Sequence, residues 1–303
     1  MTETLQDKVC LITGATSGIG YVAARHLAEH GAHLLLVGRN GDKTNAVVAE
    51  IKQATGNAAV EGLLADLSRQ KQVRALAAQV QGRFPQLDLL INNAGAVFAE
   101  RQETEDGLEM TFALNHLSYF LLTNLLLDNL KAAAQAHGGA RIVNVASNAH
   151  RRVPGLDFDD LQSRNHYSAF AVYGASKLAN LLFNAELSRR LSEAGVAVTS
   201  NAMHPGMVHT GFGRNNRSPF WRLAYVFINL AGRTPEQGAD TIVYLATAPE
   251  LAQGTGGYYY ERRRVEPSAA ARDAQAARRL WEVSEQLTGL TRSAPVTLPA
   301  QPS

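Results

Sequence analysis

Tyr173 and Lys177 stand four residues apart in the stretch Val172-Tyr173-Gly174-Ala175-Ser176-Lys177. The chain around them, Ala169 to Leu191, carries Leu178, Leu181, Leu182 and Ala185 at helical spacing, and Gly195 follows as a stop. It reads as one long helix. Residues four apart on a helix share a face, so the phenol and the ammonium point the same way. A free tyrosine keeps its proton to about pH 10. A nearby cation favours the phenolate and is expected to lower that value. A tyrosine tuned in this way can exchange a proton near neutral pH, as carbonyl reduction or alcohol oxidation requires. Taken alone, the pair also reads as a core tyrosine beside a surface lysine, and its weight comes from the elements around it.

Those elements alternate. Apolar runs read as strands at Val9–Thr13, His33–Val37, Ala58–Leu64, Asp88–Ile91, Arg141–Ala146, Val196–Met203 and Gly257–Tyr260. Helices are predicted at Ile19–His30, Asp42–Thr55, Arg69–Gln81, Thr104–Lys131 (in two pieces), the Tyr173 segment and Pro235–Thr247. Strands alternating with helices of ten or more residues imply a parallel sheet with helical crossovers. Continuous apolar strands fit a sheet covered on both faces. The expected fold is therefore an α/β doubly wound parallel sheet in a single domain, with ligands beyond the carboxyl ends of its strands. Gly14–Gly20, Asp66, Asn92–Gly95, Ser147 and His204–Gly206 all follow a predicted strand, so five segments should meet along one edge.

Thr13-Gly14-Ala15-Thr16-Ser17-Gly18-Ile19-Gly20 joins the first strand to the first helix. Glycines there allow a sharp turn and close approach of a pyrophosphate to the unpaired N–H groups of the helix. A structural turn also needs glycine, and it is the place between a strand and a helix that makes the motif informative. The second strand ends at Val37-Gly38-Arg39. A carboxylate there would bind a ribose hydroxyl and favour NAD. Gly38 supplies none, and the Arg39 guanidinium suits a 2′-phosphate, so NADP(H) is the expected cofactor.

The 303 residues carry a net charge of +2 and 46% apolar residues, which supports a large core and argues against a nucleic-acid partner. The single cysteine, Cys10, forms no internal disulfide and reads as a small buried hydrophobe. Met1 to Lys8 is too short and polar for a signal peptide. The runs Leu117–Leu130 and Phe220–Leu230 are too short to span a bilayer. A soluble, cytoplasmic protein without a transmembrane segment is the expectation. His26 and His30 are four apart on a helix, but Glu29 is misplaced for a metalloprotease motif and nothing supplies a third ligand, so no metal is expected.

Taken in order, Thr13-Gly14-x-x-x-Gly18-x-Gly20, Asp66, Asn92-Asn93-Ala94-Gly95, Asn115, Ser147, Tyr173-x-x-x-Lys177 and Pro205-Gly206 resemble the short-chain dehydrogenase/reductases over residues 7 to 260. Asn115-His116-Leu117, Ser147-x-Ala149-His150, Ser176-Lys177-Leu178-Ala179-Asn180 and Leu280-Trp281-Glu282 look most like its retinol dehydrogenase and WW-domain oxidoreductase branch. Ser118-Tyr119 replaces the Gly-His usual there, Ala146 replaces the first of two serines, and the N-terminal anchor of membrane-bound retinol dehydrogenases is not expected.

The resemblance implies a Rossmann-type fold and roles for particular residues. Tyr173 would act as general acid/base, Lys177 would lower its pKa and hold the nicotinamide ribose, Ser147 would hydrogen-bond the substrate oxygen, and Asn115 would fix a water linking Lys177 to solvent. The cofactor would be held by Gly14, Thr16, Ser17, Gly18, Ile19, Gly20, Arg39, Asp66, Leu67, Asn93, Ala94, Gly95, Tyr173 and Lys177, with Pro205, Gly206, Val208 and Thr210 over the nicotinamide. Singly, Asp66 also reads as a helix cap and Asn115 as a helix bend. The substrate would be a hydrophobic aldehyde or ketone and its alcohol. Two other readings are reduction of a C=C bond, as in light-dependent protochlorophyllide reductase, and a catalytically silent NADPH-binding regulator. A homodimer would pair through the two long apolar helices. A lid is expected within residues 204–234, centred on Phe220–Leu230, then a helical extension over 261–292 and a loose tail over 293–303.

Overall fold

The computed structural model describes residues 4–208 and 232–290. Thr210, His209, the expected lid segment Phe220–Leu230 and the tail over 293–303 lie outside the described residues.

Eight strands form one sheet: β1 (Val9–Thr13), β2 (His33–Gly38), β3 (Val60–Leu64), β4 (Leu89–Asn92), β5 (Ala140–Val145), β6 (Val198–Met203), β7 (Tyr258–Tyr260) and β8 (Arg263–Arg264). Their order is β3-β2-β1-β4-β5-β6-β7-β8. Every neighbouring pair is parallel except β7 with β8. The run Leu34-Leu35-Leu36-Val37 is buried throughout, as a strand covered on both faces must be. The order reverses between β1 and β4, the switch point beyond whose strand ends such sheets bind their ligands.

Helices α1 (Gly18–Glu29), α2 (Gly41–Thr55) and α7 (Pro235–Thr247) lie against one face, where Val22, Leu27, Ile51 and Ile242 pack on Cys10, Ile12, Leu34 and Ile91. Helices α3 (Gln70–Arg83), α4 (Met110–Leu125), α5 (Leu127–His137), α6 (Ala169–Glu193) and α8 (Ala274–Thr288) cover the other. Cys10 is fully buried in β1, and burial pushes its thiol up, so it stays neutral.

Two predicted elements differ in detail. The helix expected from Thr104 begins at Met110, because the chain first turns at Thr104–Gly107, where Gly107 takes φ +71°. Buried Glu109 then caps α4, accepting from Thr111 N at 2.8 Å and Phe112 N at 2.6 Å. Within α4, residues Ala113–Leu117 widen into a π turn. The region beyond Tyr260 adds strand β8 and the buried residues Ala277, Leu280 and Trp281 to the fold. No single described helix is long and apolar enough to cross a membrane; α4 and α5 together pass by length and composition, but they bend by 54°.

Candidate active site

The polar motifs do meet along one sheet edge, and two kinds of construction are visible there. The first is the turn between β1 and α1. Gly14 and Gly18 take φ +66° and +58°, which side chains with a Cβ rarely adopt. A Cβ on Gly20 would stand 2.4 Å from Gly14 O and 2.5 Å from Asn93 Nδ2. Helix α1 then opens without a side-chain cap: Ser17 makes no capping hydrogen bond and the first turn holds no acid. The first N–H groups of a helix have no partner within it. An uncapped, glycine-lined helix start with that dipole fits a pyrophosphate.

Asn93, expected at the cofactor, uses its side chain inside the protein. Its Nδ2 donates to Thr13 O at 2.8 Å and Gly14 O at 3.1 Å. Thr13 Oγ1 accepts from Asn93 N at 2.9 Å and Ala94 N at 3.0 Å. Asn93, Ala94 and Thr13 thus rivet the end of β4 to the glycine turn. Thr13 was visible only as the first letter of the motif.

At the end of β2, Arg39 is exposed and, among the described residues, makes no hydrogen bond or ion pair. Gly38 beside it leaves no room for a side chain unless Thr44 or Thr16 shifts, since a Cβ would lie 2.1 Å from Thr44 Oγ1 and 2.7 Å from Thr16 Cγ2. Asp66 does not cap α3; its Oδ1 accepts from Ser68 N at 3.1 Å and Ser68 Oγ at 2.7 Å, fixing the loop after β3. Leu67, expected at the cofactor, buries its side chain in the core with Val73 and Leu76. Ile19 and Val208 both press on Gly238 of α7, where a Cβ would meet them at 2.7 and 2.8 Å. That contact brings the Pro205–Val208 segment over the start of α1.

The second construction is a corner of buried side chains. Lys177 is 3% exposed. Its Nζ donates to Val145 O at 2.9 Å and lies 5.8 Å from the centre of the Tyr173 ring and 5.7 Å from that of Tyr119. Gly95 makes room for it: a Cβ there would meet Asn115 Oδ1 at 3.1 Å and Lys177 Nζ at 3.5 Å. Asn115 sits in the π turn of α4. Its Oδ1 accepts from Ala96 N at 2.9 Å, and its Nδ2 donates to Ala96 O at 2.9 Å and Ser176 Oγ at 3.0 Å. Its amide therefore pins the loop after β4 and does more than bend a helix. Ser147 ends β5 and faces the Tyr173 hydroxyl.

The electrostatics run opposite to the expectation for an isolated Tyr–Lys pair. Burial pushes the Tyr173 phenol up to about 12, against a lowering by the Ser147 hydrogen bond and by Arg152. Burial also lowers the Lys177 amine from its ordinary 10.5 to about 7. Desolvation penalises both charged forms at once. Near neutral pH, Tyr173 is a protonated acid and Lys177 is poised between charged and neutral.

One wall of this corner was not foreseen. Tyr258 on β7 is buried, and its hydroxyl has no partner among the described residues. Its ring meets His150 edge-on at 5.3 Å and His204 at 5.5 Å, and His204 stacks on Tyr260 at 4.2 Å. Burial holds His204 down to about 4, and His150 is lowered too, so both rings are neutral at pH 7. The Tyr258, His150 and His204 rings are neutral, and the Arg233 guanidinium lies 5.3 Å from the centre of the Tyr260 ring. Single residues on a three-residue strand carry no sequence period that would reveal this wall.

The sequence pattern of short chain dehydrogenases matches residues 8–219. The chain belongs to the short-chain dehydrogenase family. It is 43% identical to human retinol dehydrogenase 13 over 295 residues, covering 95% of this chain and 86% of that protein. Human polyprenol dehydrogenase is 40% identical over 288 residues, covering 94% and 86%. Among solved structures, an uncharacterized protein from Mycobacterium paratuberculosis superposes with a TM-score of 0.75 at 33% identity, over 95% of this chain and 96% of that one. As a short-chain dehydrogenase of the retinol dehydrogenase-like branch, the protein is an oxidoreductase of the alcohol/carbonyl type that uses a nicotinamide dinucleotide.

Proposed function

We propose that this short-chain dehydrogenase is an NADP(H)-dependent enzyme that interconverts a long apolar alcohol and its aldehyde or ketone, with Tyr173 as general acid/base. The carrying observation is the corner where Ser147, Tyr173, Lys177 and Asn115 meet at the strand ends, next to an uncapped, glycine-lined helix start. When bound, the dinucleotide supplies or accepts the hydride; the chain supplies position and proton.

In the reducing direction Ser147 orients the substrate oxygen, and Tyr173, protonated at neutral pH, gives its proton to that oxygen as hydride reaches the carbon. The electron pair of the C=O π bond ends on oxygen and is neutralised by the tyrosine proton. Lys177 refills the phenolate side: its amine sits at about 7, near the working pH, where a proton relay is most efficient. Asn115 holds Gly95 and Ala96 away from that amine. In the oxidising direction the same proton returns along the same atoms.

Arg39 and the tight space for a side chain at Gly38 support NADP(H). The uncharged wall of Tyr258, His150 and His204 supports an apolar substrate, as do relatives named for retinol and polyprenol, both long apolar alcohols. The intact corner speaks against a silent regulator. The lid over 204–234 is part of the proposal, and charging Phe220–Leu230 should raise KM for long substrates more than for short ones. The test is NADPH and NADH consumption with straight-chain and isoprenoid aldehydes of increasing length. The reading expects NADPH to be favoured about tenfold or more, the worth of one charge-assisted hydrogen bond, with kcat/KM rising with chain length. Equal use of both cofactors, or turnover confined to small polar carbonyls, would overturn it.

A further inference from the structure

The C-terminal helix lies far from the strand ends in sequence but not in space. Trp281 of α8 packs on Phe120 of α4 at 4.9 Å and on Phe183 of α6 at 5.9 Å, with the Arg190 guanidinium 4.2 Å over its ring. The helix is fixed at its far end by Gln70 Nε2, which donates to Leu287 O at 2.8 Å, and by Arg74, which donates to Thr288 O. It therefore packs, from within the chain, on apolar side chains of α4 and α6.

One polar contact crosses that apolar seam. His116 Nε2 lies 2.8 Å from Ser284 Oγ, and both residues are fully buried. His116 is the neighbour of Asn115 inside the π turn. Its ring is enclosed by Phe112, Phe120 and Phe183; its Nδ1 makes no hydrogen bond of good geometry, and the buried Asn180 amide of α6 is the other polar group beside the ring. Burial holds the imidazole down at about 3, so it is neutral and cannot be anchored by charge. Ser284 gives this ring its one close hydrogen bond, at 2.8 Å, and the ring fixes the register of the wide turn. π turns store a register that an ordinary helix would relax, and they recur at functional sites.

We propose that Ser284 is a positioning residue for the active site: through His116 it holds the π turn that presents Asn115 to Ala96, Gly95 and Lys177. This rests on the reading of the corner as catalytic, but only for its kinetic consequence. Without the Ser284 hydroxyl the turn loses its lock, Asn115 withdraws from Ala96, and the backbone around Gly95 moves toward the Lys177 amine.

Ser284→Ala and Ser284→Thr are compared with the full-length wild type at a temperature well below all three unfolding midpoints. In Ser284→Ala, kcat falls about tenfold, the worth of one hydrogen bond in a buried site, while KM for cofactor and carbonyl stays within about twofold. Ser284→Thr, which keeps the hydroxyl, recovers kcat. In a second readout, the Ala96 amide, which donates to Asn115 Oδ1, exchanges its hydrogen about tenfold faster in Ser284→Ala, with β1 amides unchanged. An unchanged kcat and unchanged Ala96 exchange would overturn the proposal, whatever the melting temperature does. So would a loss of kcat that Ser284→Thr leaves in place although its melting temperature is restored. If the wild type turns over no carbonyl, the reading of the reaction fails, and the Ala96 exchange alone decides for or against the latch.

Discussion

The two halves of the strand-end site are built by opposite means. Around the β1–α1 turn, side chains are removed: glycines at 14, 18 and 20 and a helix start that no side chain caps. Around Tyr173, side chains are added and sealed from water, with Lys177 and Asn115 3% and 0% exposed. The first half offers a bare backbone to an anion. The second sets proton affinities by burial. Helix α7 makes the contrast sharper, because its N-terminus is closed by a full capping box of Thr234 and Gln237. Helices α3 and α6 also begin without a side-chain cap, so it is the glycines at 14, 18 and 20, together with the open start, that set α1 apart.

The largest expected effect falls on the sealed half. Lys177→Met should lower kcat about 10²–10³-fold, the span of a lost proton-transfer partner, yet raise stability. The sign follows from the amine's value, ordinary at 10.5 and about 7 when folded. Between those pH values the unfolded chain binds more protons, so in the wild type this group makes stability rise with pH from about 7 to 10. Below 7 the folded protein carries its full cost. Thermal unfolding at pH 6 should show the variant more stable by roughly 1–3 kcal/mol, the cost of a buried ammonium compensated by the Val145 carbonyl but by no counter-charge, with the gap shrinking toward pH 10. A variant less stable at pH 6 would mean that the amine is well solvated or meets a counter-charge.

Next in size is the open half's far end. Arg39→Leu should weaken NADPH about ten- to hundredfold and leave NADH nearly untouched, as read by titration calorimetry; equal losses would show that Arg39 touches no 2′-phosphate. The smallest effects test the capping contrast itself. Thr234→Ala should cost about 1 kcal/mol of stability and Ser17→Ala almost none, because only Thr234 accepts a capping hydrogen bond. A comparable loss at Ser17 would erase the distinction between the two helix starts.

Strand–helix alternation and the order of the polar motifs were legible in the sequence because they are local or periodic. Val9–Thr13 and Pro235–Thr247 fall where the pattern placed them. What was not legible depends on packing between distant segments. The raised phenol of Tyr173 follows from how deeply α6 is buried, which no four-residue spacing encodes. Leu67 sits beside a site motif yet turns into the core. Asn93 spends its amide on the β1 turn 79 residues away, and Ser284 meets His116 across 168. The Tyr258 wall lies on a three-residue strand, too short for any period to show.

The central claim is that the Tyr173 hydroxyl moves the proton while the glycine turn holds the dinucleotide. Tyr173→Phe tests it most directly, with NADPH affinity and the rate of apolar aldehyde reduction measured on the same protein. The account predicts affinity within about twofold of wild type and a rate lower by about 10²–10⁴-fold. A variant that binds NADPH and reduces the aldehyde at the wild-type rate would contradict it.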